Sequence, residues 1–173
     1  MNVKPIKIKL KKLHTDAKLP VKSKEGDLCY DVWAVDEEEI APNVWRYKLG
    51  FSYEIVRNKI TIEKYDTYRC GGGIDINLDN SPVVISIDLR PRSSIWKTGM
   101  VLANSEGTLD EFYRGEAMAI FYHVLPNMPR YIVGERIGQI KLGFSYPCEF
   151  EFVDEINENT QRSTGGFGST GKE

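Results

Sequence analysis

The chain has 173 residues, enough for one domain that buries about two-thirds of the surface its unfolded form exposes. Twenty-three Lys plus Arg against 25 Asp plus Glu leave a net charge of -2, which excludes a general field drawing in nucleic acid or an acidic membrane. Any anion it binds must meet a local site.

The first ten residues, Met1 to Leu10, hold no uninterrupted apolar run of signal-peptide length, and no later window approaches a membrane span. A soluble, unexported, cytoplasmic protein is expected, in the host cytoplasm if the chain is viral. Cys29, Cys70 and Cys148 are odd in number and far apart, with no Cys-x-x-Cys pair, which speaks for reduced thiols rather than a zinc site.

Ile6, Ile8 and Leu10 interleave with Lys7, Lys9 and Lys11, the period of a strand with one buried and one wet face. The same period predicts strands at Phe51 to Ile55, Lys59 to Glu63, Ile85 to Leu89 and Glu149 to Val153. Glu116 to Val124 and Ile137 to Phe144 are apolar on both faces, as central strands are. Gly71 to Gly73, Asp79 to Pro82 and Pro126 to Pro129 supply turns. No window has a strong helical period. Many short strands with frequent turns predict an all-β fold, an antiparallel barrel or sandwich whose closure hides its edges.

Three segments carry candidate chemistry. Pro91-Arg92-Ser93-Ser94 follows a strand and presents one guanidinium, two hydroxyls and their amides, a fit for phosphate and equally a plain polar turn. Asn104 to Met118 reads as a hairpin, with Gly107 and Gly115 flanking Asp110 and Tyr113; alone it is an acidic turn. From residue 157 onward the only large apolar side chain is Phe167, so a mobile arm over 157–173 is expected after a domain over 1–156. Within that arm Gly166 to Lys172 has Walker spacing, yet Glu173 stands where a Ser or Thr is required. What remains is a set of backbone N–H groups, Ser169, Thr170, Arg162 and one aromatic ring, parts that suit a polyphosphate bearing a base. Between residues 57 and 82 Ile60, Ile62, Ile74 and Ile76 alternate around the glycine run, predicting a further hairpin.

Taken in order, these segments resemble the five signature motifs of the homotrimeric dUTPase family. They are Leu28-Cys-Tyr-Asp31-Val-Trp-Ala34, Pro91 to Ser94, Asn104 to Glu116, Gly134-Glu-Arg-Ile-Gly-Gln-Ile140 and Arg162 to Gly171. The third and fifth are the most specific. The resemblance implies a distorted jelly-roll-like barrel with a flexible glycine-rich C-terminal arm. It also implies hydrolysis of dUTP to dUMP and pyrophosphate, limiting uracil incorporation into DNA and supplying dUMP for dTTP synthesis.

Residue by residue, it implies that Asn104, Gly107 and the backbone at Thr108, Leu109 and Met118 read uracil, with Tyr113 under the deoxyribose. Arg92, Ser93, Ser94 and Gln139 would hold the phosphates, and Asp110 would activate water. Phe167, Gly168, Ser169, Thr170 and Arg162 would close over the nucleotide. Magnesium would ride on the triphosphate with no direct protein ligand, Asp31 giving indirect support. The family's sites lie between the subunits of a homotrimer.

Three departures stand out: Cys29 where glycine is usual, Gly138 where alanine is usual, and the 57–82 insertion, which is either a decoration or a surface for a protein partner. The related dCTP deaminases need a glutamate on the strand after the aspartate. Ile120 holds that position here, and Lys97 holds the place of a deaminase arginine, so deamination is disfavoured. A binding module that keeps the fold without catalysis is a third reading.

Overall fold

Alternation in the sequence becomes strand register in space. The structure is a computed structural model that describes residues 5–57, 59–62, 74–77 and 82–156. Strand β1 (Lys7–Lys12) pairs antiparallel with β5 (Phe51–Val56), Lys9 facing Glu54 across the ladder with Nζ to carboxylate at 3.2 Å. Its lysines point to water while Ile6, Ile8 and Leu10 lie against the core. β6 (Lys59–Ile62) pairs with β7 (Ile74–Asn77), Ile60 opposite Ile76 and Ile62 opposite Ile74; the glycine turn between them lies outside the described residues.

The remaining strands are β2 (Tyr30–Trp33), β3 (Asp36–Ala41), β4 (Val44–Lys48), β8 (Val84–Arg90), β9 (Met100–Leu102), β10 (Gly107–Leu109), β11 (Met118–His123) and β12 (Arg136–Ser145). They form two four-stranded antiparallel sheets, one ordered β10-β8-β12-β2 and the other β3-β4-β11-β9. A 3-10 turn, Ser93–Lys97, follows β8. Ile85, Ile87 and Leu89 of β8, Ile137 and Ile140 of β12, and Tyr47, Ala119 and Phe121 of the second sheet share one buried core. Tyr47, Phe121 and Tyr131 meet edge to face, with centroids 5.5 to 6.4 Å apart, and the Tyr47 hydroxyl donates to the Tyr131 carbonyl at 2.8 Å. Among the described residues no helix is long and apolar enough to cross a membrane.

The structure corrects two expectations. Glu149 to Val153 is no strand: residues 146–156 are exposed, Phe150 at 91%, and among the described residues no strand pairs with them. Nor is Asn104 to Met118 a hairpin. β10 pairs with β8 in one sheet and β11 with β4 and β9 in the other, so the segment crosses between sheets. The crossing lifts residues 110–116 out of any ladder.

Candidate active site

Two clusters of polar side chains flank β8, one where the strand ends and one that starts beside that end and runs back along it. The first gathers where β8 ends and β2 and β12 run beside it. Gln139 of β12 sits opposite Arg90 on one side and Asp31 on the other. Asp31 is 2% exposed, and its carboxylate accepts from Ser23 Oγ at 2.7 Å, Arg136 Nη1 at 3.0 Å and Gln139 Nε2 at 3.1 Å. Arg92 forms an ion pair with it at 3.3 Å, without hydrogen-bond geometry. Burial pushes the Asp31 pKa up, but the three hydrogen bonds and the Arg92 charge outweigh it and hold the carboxyl below its ordinary value. A buried carboxylate so surrounded stays ionised and fixes the side chains around it. Ser93 and Ser94 open the 3-10 turn immediately after Arg92. The result is a cationic and hydroxyl-bearing rim that suits an anion with several oxygens.

Gly138 shows how closely this end is packed. A Cβ there would come within 3.1 Å of the Arg90 carbonyl and 3.3 Å of Leu89 Cδ1, and the β12 register shifts between Arg136 and Gly138.

The second cluster follows β10. Ser105 turns the chain at φ 57°, setting Asn104 beside Gly107, and Thr108 and Leu109 continue along β8 opposite Asp88 and Ile87. Asp110 comes next, with its side chain exposed. Its carbonyl accepts from the Tyr53 hydroxyl at 2.5 Å and from the Tyr113 N–H at 3.0 Å. Burial, with the Asp110 charge adding, pushes the Tyr53 phenol up to about 12, so it stays a donor. Glu111 turns inward onto Arg57, and Arg114 bonds the Glu111 and Tyr113 carbonyls. The Tyr113 ring folds over Gly115, where a Cβ would lie 2.3 Å from the phenol oxygen and 2.5 Å from Cζ. Its hydroxyl donates to the Glu116 carbonyl at 3.1 Å. The glycine is required by that close approach.

The dUTPase family model matches residues 55–171, about two-thirds of the chain, a range that includes Arg92, Asp110 and Gln139 but not Asp31. The chain belongs to the dUTPase family. A deoxyuridine 5'-triphosphate nucleotidohydrolase of Helicobacter pylori (strain J99) is 32% identical over 167 residues, 96% of this chain and 97% of that protein. One from a Picosynechococcus is 30% identical over 95% of this chain and 98% of its own. Among solved structures, a Staphylococcus bacteriophage 80alpha dUTPase with dUpNHpp aligns at TM-score 0.66 and 18% identity, covering 96% of this chain and 99% of that one. A dUTPase of phage phi11, described for its species-specific insert, aligns at TM-score 0.58 and 14% identity, over 87% and 98%. These likenesses carry the fold, a dUTPase-type antiparallel jelly roll.

Within this dUTPase fold, register decides which residues meet. Asp31, Arg92 and Gln139 are brought together, with Ser93 and Ser94 adjacent. Asn104, Gly107, Thr108, Leu109, Asp110 and Tyr113 follow one another along β10 and its loop, while Met118 opens β11 opposite Lys48. The clusters approach each other at one end, where Glu106 pairs with Arg90 and Gly107 lies opposite Leu89, but Asp110 lies away from the rim. Leu109 lies opposite Ile87 and the Glu111 carboxylate reaches the Ile85 N–H at 3.0 Å, whereas Gln139 lies opposite Arg90 two strands away. At ~3.3 Å per residue and ~4.8 Å per strand, Asp110 is about 15 Å from Gln139. Arg162, Phe167, Gly168, Ser169 and Thr170 lie outside the described residues. Ile120 sits on β11 opposite Arg46, and Lys97 ends the 3-10 turn.

Sequence reasoning passed over Ser23, Tyr53, Arg57 and Glu111, and gave Arg136 no role. Arg136 lay inside a recognised motif and Glu111 beside Asp110, which were available signals. Tyr53 and Arg57 stand more than 50 positions from the residues they hold, and no local pattern marks them. His123 Nε2 lies 3.0 Å from the Met128 carbonyl and closes the Pro126 to Pro129 turn.

Proposed function

We propose that the chain hydrolyses dUTP to dUMP and pyrophosphate, limiting uracil incorporation into DNA and supplying dUMP for dTTP synthesis. Family membership supports the reaction, and one observation carries the mechanism: Asp110 is an exposed carboxylate on a braced loop beside Tyr113, directly after a strand edge suited to a pyrimidine. Asp110 removes a proton from water, the water oxygen attacks the α-phosphorus in line, and pyrophosphate leaves as the P–O bond breaks. Arg92, Ser93, Ser94 and Gln139 bind the phosphate oxygens and neutralise charge that grows on them. Asn104, Gly107 and the backbone at Thr108, Leu109 and Met118 read uracil, and Tyr113 packs under a sugar lacking a 2′-hydroxyl. Arg162, Phe167, Gly168, Ser169 and Thr170 close over the bound nucleotide and exclude other water.

The separation of Asp110 from the Arg92 and Gln139 rim supports a site completed between copies of the chain, in a homotrimer, with the phosphate rim of one copy facing the Asp110 loop of another. Magnesium fits as a passenger on the triphosphate. Asp31 has its oxygens taken by Ser23, Arg136 and Gln139, and among the described residues no group of three or more His, Cys, Asp or Glu could hold an ion. Asp31 then serves indirectly, by keeping Arg92 and Gln139 aimed at the phosphates, and the ion when bound supplies charge neutralisation. A dUTPase of phage phi11 is described with a structural Mg(II) ion. A cytoplasmic location and a protein partner on the 57–82 insertion complete the reading; nucleic acid and membrane have no direct part in it.

Pyrophosphate release from dUTP is the test. Wild-type protein with magnesium is expected to release it and Asp110→Asn to lose at least ~100-fold in turnover. Equal release by the two proteins would end the enzyme reading. Supplying dCTP and measuring ammonia separates deamination, which needs a proton acceptor where Ile120 stands.

A further inference from the structure

Asp110 and Glu111 are neighbours that point in opposite directions. Asp110 faces solvent, while the Glu111 side chain is 3% exposed. The buried carboxylate accepts from Arg57 twice, Nε to Oε1 at 2.5 Å and Nη2 to Oε2 at 2.7 Å, and from the Ile85 N–H at 3.0 Å. The same guanidinium donates to the Val83 carbonyl at 3.1 Å. Arg57 stands where the chain leaves β5, and Val83 where it returns to β8. One side chain therefore ties the exit, the return and the residue beside Asp110.

Pairing alone does not require this arrangement. A two-pronged guanidinium fork fixes both distance and direction, and a third donor fixes the remaining orientation. Rotating the backbone between residues 110 and 111 would pull Glu111 off its partners and leave a charge buried without compensation. The loop therefore has one conformation in which Glu111 is satisfied, and in it the Asp110 carboxylate points out. Arg114 reinforces this by donating to the Glu111 carbonyl at 2.8 Å. Tyr53 donates to the Asp110 carbonyl, in the peptide link that joins Asp110 to Glu111.

We propose that Arg57 and Glu111 are positioning residues for the reaction, forming a clamp that holds the Asp110 carboxylate at its attack geometry and ties it to both stems of the 57–82 insertion. The proposal rests on the reading of Asp110 as the water-activating base. The clamp touches neither substrate nor water. It acts on turnover rather than on nucleotide affinity, because neither Arg57 nor Glu111 is among the residues that hold the nucleotide.

Steady-state pyrophosphate release and thermal melting of full-length Glu111→Gln, Arg57→Lys and the double variant Arg57→Met/Glu111→Leu test it. Glu111→Gln and Arg57→Lys are expected to lose about 10- to 100-fold in kcat, the scale of a small misplacement of a catalytic group, with KM nearly unchanged. The double variant replaces the buried pair with apolar side chains, which restores Tm but not kcat. Arg57→Lys keeps the charge without the fork, so its kcat is read well below its own Tm, where a purely structural role predicts the wild-type value. Wild-type kcat in Arg57→Lys under those conditions, or recovery of kcat along with Tm in the double variant, would overturn the clamp. Asp110→Asn distinguishes the two readings: wild-type turnover in that variant removes the base assignment itself, whereas its inactivity alongside fully active clamp variants removes only the clamp.

Discussion

Asp31 shows how one buried charge organises the side chains around it. Four donors or cations converge on it from a loop, from β12 and from the turn after β8, and each is held by a bond the others also need. Asp31→Asn keeps the shape and removes the charge, leaving Arg92 and Arg136 facing a neutral amide; KM for dUTP should rise by about tenfold or more while Asp110 is untouched. The pH consequence follows from the sign of the shift. Both Asp31 and Glu111 have folded-state pKa values below their ordinary 3.8 and 4.5, so the stability they contribute is present above those values and is lost as pH falls through the folded ones. For Glu111 the Arg57 hydrogen bond is the largest cause, working against burial. Melting curves recorded from pH 7 downward should show Tm falling steeply below about pH 4.5, with a shallower fall in Asp31→Asn. Tyr113 depends on a residue with no side chain. Gly115→Ala must push its ring aside, and the expected result is weaker discrimination between dUTP and UTP, measured as the ratio of their kcat/KM values.

At the scale of elements, charge hides structure. β3 reads Asp-Glu-Glu-Glu-Ile-Ala, with no alternation to mark a strand, yet it pairs with β4 as an edge. Its carboxylates are answered across the ladder and beyond it, Asp36 by Lys48 at 2.8 Å, Glu38 by Arg46 and Glu37 by Arg130 at 2.8 Å, and Arg130 also lies over the Trp45 ring. Edge strands carry charge because charge blocks unwanted pairing, so propensity was a poor guide. The turn that joins β3 to β4 was more legible: Pro42 fixes φ, and Asn43 takes the left-handed conformation at φ 61°. β4 and β11 are joined through Tyr47 and Phe121, which are fully buried. Phe121→Ala should cost about 3–5 kcal/mol in chemical unfolding, because the cavity opens where three aromatic rings meet.

For the whole molecule, the distance between the phosphate rim and Asp110 is the decisive quantity. If the site is completed between copies, a copy lacking Asp110 and a copy lacking Arg92 complement one another. Asp110→Asn and Arg92→Ala, each inactive alone, are denatured, mixed in equal amounts and refolded together. About a quarter of the sites then pair an intact rim with an intact base, and turnover should return in that proportion. No recovery, from a mixture shown by native mass to contain mixed oligomers, would place the whole site in one chain. The exposed row at 146–156, with Phe150 and Phe152 bare, agrees with a chain that does not finish its contacts alone.

What the sequence by itself determined was local and ordered. Alternation in β1, β5 and β8 marked strands because a half-buried strand must repeat every second residue, and β11 and β12 were marked by apolar residues on both faces, as central strands are. The motif order around Arg92, Asp110 and Gln139 identified the family because each motif is a continuous stretch. Only the tertiary structure decided the rest. It took Glu149 to Val153 out of the ladders, since pairing needs a neighbour and no pattern supplies one. It divided Asn104 to Met118 between two sheets. It joined Arg57 to Glu111 and Tyr53 to Asp110 across more than 50 residues of chain, contacts that depend on which strands lie side by side rather than on which residues follow one another.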